Sequence, residues 1–196
     1  MKTRNESFIL NRPACLPDMA RVPYIKPGSG DERIEAAYKE VVALGRPVAH
    51  LYQALANQPP ALDAFLGMSR YVRNASSLPP ALRELAILVT AHELNQDYER
   101  AHHLPVARQA QVAESVLAAV ERNGWSELPN QTKLVLDYAR QVARNRSVDE
   151  ATFAALSREL SVPMLVDLVV TVAWYHLCAA ILGPLEIEIE DEMRPR

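Results

Sequence analysis

Apolar positions recur at three- and four-residue spacing along most of the chain. The 14 prolines fall between these periodic segments and only 6 glycines are present, the punctuation of helices joined by short loops. Strand alternation is nearly absent. A first helix is predicted to open near Ser29-Gly30-Asp31-Glu32, where Ser29 and Glu32 have capping-box spacing, and to stop at Gly45 and Pro47. Two amphipathic segments, VAHLYQALANQ and PALDAFLGMSRYVRNA, flank the Pro59-Pro60 break. PPALRELAILVTAHEL follows as the most apolar helix of the first half. After a break at Asn95-Gln96-Asp97, with Asn95 or Asp97 as N-cap, DYERAHHLPVARQAQV forms a helix that Pro105 should bend. Three more helices are predicted: Gln131–Arg144, Asp149–Leu160 opened by the capping box from Ser147 to Glu150, and an apolar one from Pro163 to about Leu182 opened by Ser161.

The ends read differently. Residues 1–28 are rich in proline and form an extended arm that needs a surface to lie on. Residues 29–185 make one helical domain, and the acidic tail 186–196 is expected to be solvated or to meet another subunit.

Composition narrows the function classes. With 49% apolar residues, 23% charged residues and a net charge of −3, the chain is globular and has no basic footprint for nucleic acid. Cys15 and Cys178 form no framework and no metal-spaced pair, which fits a reducing cytoplasm. The N-terminus lacks an apolar signal core, and the stretch from Pro163 to Leu185 is interrupted by Asp167 and His176, so neither a leader nor a membrane partner is expected.

Titratable groups concentrate between Glu84 and His103. Glu99 and His103 are four apart and share a helix face, as do Tyr98 and His102. A carboxylate that holds a histidine fixes its tautomer and raises its basicity, the requirement for proton transfer near neutral pH. The same pair also occurs as a solvated ion pair on surface helices. His92-Glu93-Leu94-Asn95-Gln96 follows the zinc pattern HExxH only until Gln96 replaces the second histidine, so no metal is expected. His50 and His176 read as core or interface residues, as do Trp125, Trp174, Tyr175 and the Leu/Val stripe 164–182.

The string LPPALRELAILVTAHELNQDYERAHHLPVARQAQV resembles the core of the carboxymuconolactone decarboxylase and AhpD-like alkylhydroperoxidase superfamily. The peroxidase branch has a glutamate, eleven residues, CxxC, three residues and a histidine; counted from Glu84, the cysteine places hold Gln96 and Glu99, and His103 holds the histidine place. The thiol cycle needs both cysteines and cannot run here. The Glu-x-x-x-His pair Glu99/His103 is similar to the decarboxylase branch, and Tyr98-Glu99-Arg100-Ala101-His102-His103 is close to the YEWAHH string of longer members.

The resemblance implies an all-α, AhpD-like bundle built around an antiparallel helix hairpin, assembled as a homo-oligomer and working without a cofactor. It implies Glu84, Glu99 and His103 as catalytic residues, with His103 oriented by Glu99 and one glutamate pKa raised by the other. Gln96, Tyr98 and His102 would bind substrate, and Arg83, Arg100 or Arg108 would hold a substrate carboxylate. The implied activity is that of a lyase or isomerase acting on a small carboxylated lactone or oxoacid. The alternatives are a non-enzymatic oligomeric binding or scaffold protein and, further off, a peroxidase-related protein that has lost its CxxC.

Overall fold

The computed structural model describes residues 20–194. Nine α-helices are present among them, with no strand: α1 Glu32–Ala43, α2 His50–Leu55, α3 Pro59–Arg70, α4 Pro80–Glu93, α5 Asp97–Gln109, α6 Glu114–Glu121, α7 Asn130–Asn145, α8 Glu150–Glu159 and α9 Val162–Leu185. A π-turn, Tyr71–Ala75, extends α3, and a 3₁₀ turn spans Asp191–Met193. The chain is all-α, as its periodicity predicts.

Prolines open α3, α4 and α9, where a missing amide costs nothing because the first-turn donors have no partner within the helix. Other boundaries depart from expectation. The cap of α1 is Asp31, whose carboxylate accepts from the Arg33 and Ile34 amides; Ser29 instead pairs with Glu35, which reaches back to the Gly28 and Ser29 amides. Neither Asn95 nor Asp97 caps α5: Gln96 occupies that position without a side-chain hydrogen bond, while Asn95 takes φ 54° in ending α4. Helix α5 continues through Pro105 to Gln109. The eight-residue α6 was not anticipated, since it lacks a side-chain cap and presents barely two turns of pattern.

The apolar residues form two clusters. One joins the apolar faces of α4, α6 and α7 to α8 and the start of α9. The other joins α1, α2 and α3 to the second half of α9, with Ile87 and Tyr98 completing it. Helices α4 and α5 make the hairpin that the resemblance implies, and nine of the fourteen α4 residues are buried.

Helix α9 is long and apolar enough to cross a membrane by length and composition, with a mean hydropathy of 1.9 over its best window. That differs from the sequence expectation, because two isolated polar residues barely lower so apolar an average. In the fold the polar residues tie it to the domain: Asp167 accepts from Tyr71 Oη at 2.5 Å and from the Ser77 amide and hydroxyl at 2.6 Å. Residues 20–28 of the arm do lie on a surface, through Arg21 N to the Leu185 carbonyl at 2.8 Å and Ile25 N to that of Gln53 at 3.1 Å. Residues 1–19 of the arm, Cys15 among them, lie outside the described residues.

Candidate functional site

Between the two clusters the α4–α5 hairpin buries a set of polar groups. His103 has no exposed surface, Glu84 has 1% and Glu99 has 4%. His103 Nδ1 lies 2.6 Å from Glu84 Oε2 across the hairpin. Its Nε2 lies 2.8 Å from Tyr175 Oη on α9, 2.9 Å from Arg73 Nη2 in the π-turn and 3.5 Å from Glu99 Oε2. Glu84, Glu99 and His103 therefore meet. The carboxylate that orients His103 is nevertheless Glu84 and not Glu99, because the facing helix delivers Glu84 head-on to Nδ1 while a residue one turn back reaches only the far nitrogen.

These partners fix the tautomer. A guanidinium has no lone pair, so the nitrogen facing Arg73 must accept, and the ring proton sits on Nδ1, donated to Glu84. His103 at rest is then a neutral ring that offers Nε2 to the Tyr175 hydroxyl. Burial alone would raise the Glu84 carboxyl; its hydrogen bond to His103 and the charges of His103, Arg73 and Arg83 outweigh burial and hold it below the ordinary range. Glu84 thus moves opposite to the rise expected from a pair of like charges. Tyr175, read from sequence as packing, is pushed well above the ordinary tyrosine range by burial.

His102, the neighbouring residue, belongs to a second dyad. Its Nε2 lies 2.7 Å from Glu190 Oε2, and its ring stacks on Tyr98 with centroids 4.5 Å apart. Glu190 Oε1 accepts from Tyr98 Oη at 2.9 Å and from the His50 amide at 2.6 Å. Burial would raise the Glu190 carboxyl, but the hydrogen bonds from His102 and His50 bring it down to about 2. The acidic segment is therefore not a solvated tail: Glu188 pairs with Tyr24, Ile187 is buried, and Glu190 enters the site. Sequence reasoning missed Glu190, and the only signal was the apolar alternation of Ile187 and Ile189 within the acidic run.

Two cavities flank these groups. The smaller, with room of about 30 Å³, is lined by Tyr98, Glu99, His102, Tyr175 and Cys178, with Trp174 on its apolar side. The larger, about 620 Å³, is lined by Arg46, Arg73, Arg83, Glu84 and His102, with Pro47, Tyr52, Val106 and Met193 among its apolar walls. Gln96 lines neither; its amide packs near Gly183. Arg100 is tied to Asp97 and Glu121, and Arg108 to Glu114, which leaves Arg83 as the one expected arginine at the larger cavity. Arg46 and Arg73 were not anticipated, because neither carries a spacing signal; the loop after α1 and the π-turn bring them in.

Residues 59–145, α3 through α7, match the carboxymuconolactone decarboxylase family, and over that segment the chain is a domain of this family. No curated protein matches the chain. Among solved structures, the AhpD core of an uncharacterized peroxidase-related protein from Ralstonia eutropha JMP134 has 21% identity and a TM-score of 0.77, covering 91% of this chain and 96% of its own. The debrominase Bmp8, in complex with 2,3,4-tribromopyrrole, has 16% identity and a TM-score of 0.75, covering 90% and 96%. A peroxidase-related protein from Silicibacter sp. TM1040 has 19% identity and a TM-score of 0.73, covering 88% and 92%. At these identities the likeness is one of fold, and the fold is AhpD-like.

Proposed function

We propose that the protein is a cofactor-independent lyase or isomerase that uses Glu/His acid–base chemistry on a small carboxylated lactone or oxoacid. The observation that carries this reading is the buried series Glu84–His103–Tyr175, with a proton on Nδ1 and an open lone pair on Nε2. Glu84 stabilises the imidazolium that forms when Nε2 takes a proton, and Tyr175 links that nitrogen to the cavity lined by Glu99.

In a decarboxylation the carbon–carbon bond to the carboxylate breaks, carbon dioxide leaves, and the bond electrons enter the conjugated lactone as a dienolate. One proton, drawn from solvent and passed through His103 and Tyr175, then closes on carbon and restores the charge balance. In an isomerisation the same relay removes a proton at one carbon and returns it at another.

Thiol chemistry finds less support. Burial first, then the charge of Glu99, push the Cys178 thiol well above its ordinary value, and only the thiolate attacks a peroxide or a halide. The non-enzymatic reading draws on one observation, that both ring nitrogens of His103 are already partnered inside the protein.

The deciding experiment is a 4-carboxymuconolactone decarboxylation assay, read by substrate absorbance and carbon dioxide release, on wild type and on His103→Gln with circular dichroism as the folding check. Turnover that falls by about 10²–10⁴ in the folded variant is the expected result. If no lactone, oxoacid or 2,3,4-tribromopyrrole is turned over by wild type, the binding-protein reading replaces this one.

A further inference from the structure

The larger cavity carries a charge pattern that proton transfer does not explain. Three arginines, Arg46, Arg73 and Arg83, face it against a single carboxylate, Glu84, which is already engaged by His103 at 2.6 Å and by Arg83 Nε at 3.4 Å. Arg46 makes no hydrogen bond or ion pair with any described residue, and its Nη1 is shielded from solvent without a partner. Arg73 gives Nη2 to His103, while its Nε is likewise shielded and unpartnered. A guanidinium withdrawn from water without a counter-charge is costly, and proteins keep one where a ligand supplies the anion. Burial, with the charge of Arg73 acting the same way, pulls the Arg46 guanidinium below its ordinary value. Arginine remains charged throughout the working range.

We propose that Arg46 and Arg73 form a carboxylate-binding subsite, and that the ligand of this cavity is a small dicarboxylate. Two positive charges remain after Glu84 is counted, so a dianion matches the cavity where a monoanion leaves one charge uncompensated. A volume of about 620 Å³ with Leu44, Pro47, Tyr52, Pro105 and Val106 on its walls suits a carbon skeleton, whereas inorganic phosphate would leave most of that apolar surface unfilled. The planar guanidinium fork pairs with a carboxylate through two parallel hydrogen bonds. Arg73 touches both this subsite and His103 Nε2, so an anion on Arg73 sits beside the proton-carrying nitrogen.

The inference rests on reading this cavity as the substrate site of the proton relay, and its test needs no turnover. Full-length protein is titrated by calorimetry with succinate, with inorganic phosphate and with uncharged succinamide; wild type is compared with Arg46→Gln, Arg46→Lys and His103→Gln. Succinate is expected to bind, succinamide to give no heat, and phosphate to bind at least tenfold more weakly than succinate. Arg46→Gln weakens succinate at least tenfold, Arg46→Lys weakens it less, and His103→Gln leaves it within about twofold.

Arg46→Gln should melt no lower than wild type, because it removes an uncompensated charge. The proposal is overturned if wild type does not bind succinate, if succinamide binds equally well, if phosphate binds as tightly as succinate, or if Arg46→Gln binds as wild type does. Arg46-dependent binding without any turnover would leave this subsite standing and remove the proton relay. His103-dependent turnover without Arg46-dependent binding would do the reverse.

Discussion

Two adjacent histidines on α5 are held by carboxylates in different ways. His103 meets Glu84 from the facing helix of a hairpin, nineteen residues away, with both partners buried between two apolar clusters. His102 meets Glu190 from an extended segment eighty-eight residues away, at the rim of both cavities. Neighbours on a helix point roughly 100° apart, so a single dipeptide serves two environments. One dyad is fixed by helix packing, the other by a terminal segment that can be removed or titrated without unmaking the bundle.

The largest expected difference between them is in stability. Glu84→Ala leaves the His103 N–H buried with no acceptor beside the Arg73 charge, and should cost about 3–5 kcal/mol in urea denaturation. Glu190→Ala should cost about 1–2 kcal/mol, since His102 keeps partial access to water. Equal losses would erase the distinction between a packed dyad and a rim dyad.

Acid sharpens the comparison next. The Glu190 carboxyl sits at about 2 in the folded protein against an ordinary value of 4.5, so its stabilising contribution is complete above about 4.5 and is lost as pH falls from there toward 2. Glu84 is also held below its ordinary value and adds to the same loss. Glu190→Gln should therefore melt lower than wild type at pH 7 and converge with it near pH 2. A constant gap across that range in thermal melts would show that Glu190 acts by packing and not by charge.

The helices, the hairpin and the meeting of Glu84, Glu99 and His103 were legible because each follows from local period or from spacing within one supersecondary unit. What was not legible came from longer range. Glu99 was the natural partner for His103 at four-residue spacing, and only the approach of α4 gives Nδ1 to Glu84. Tyr175 looked like one more aromatic in an apolar helix until α9 was placed across the hairpin. Glu190 sat in a run of acidic residues, where no periodicity separates a buried carboxylate from solvated ones. Arg46 and Arg73 come from a loop and a π-turn, and such backbone leaves no repeat to read.

The finest test of the rim dyad lies in a single hydroxyl. Tyr98 Oη donates to Glu190 at 2.9 Å and accepts from the Leu51 amide at 3.3 Å, so it joins the C-terminal segment to the start of α2. Tyr98→Phe keeps the ring and its stacking on His102 but removes both bonds, for an expected loss of about 1 kcal/mol. Part of that loss depends on Glu190 being ionised. In a Glu190→Gln background the effect of Tyr98→Phe should shrink to about half, because a neutral amide accepts the hydroxyl proton more weakly. The same double-mutant cycle run with Glu84→Gln should return no coupling, since Tyr98 reaches Glu190 and makes no bond to the Glu84 dyad. Measurable coupling to Glu84 would instead mean that His102 and His103 share one network across the helix, and that the two dyads work as a single proton reservoir.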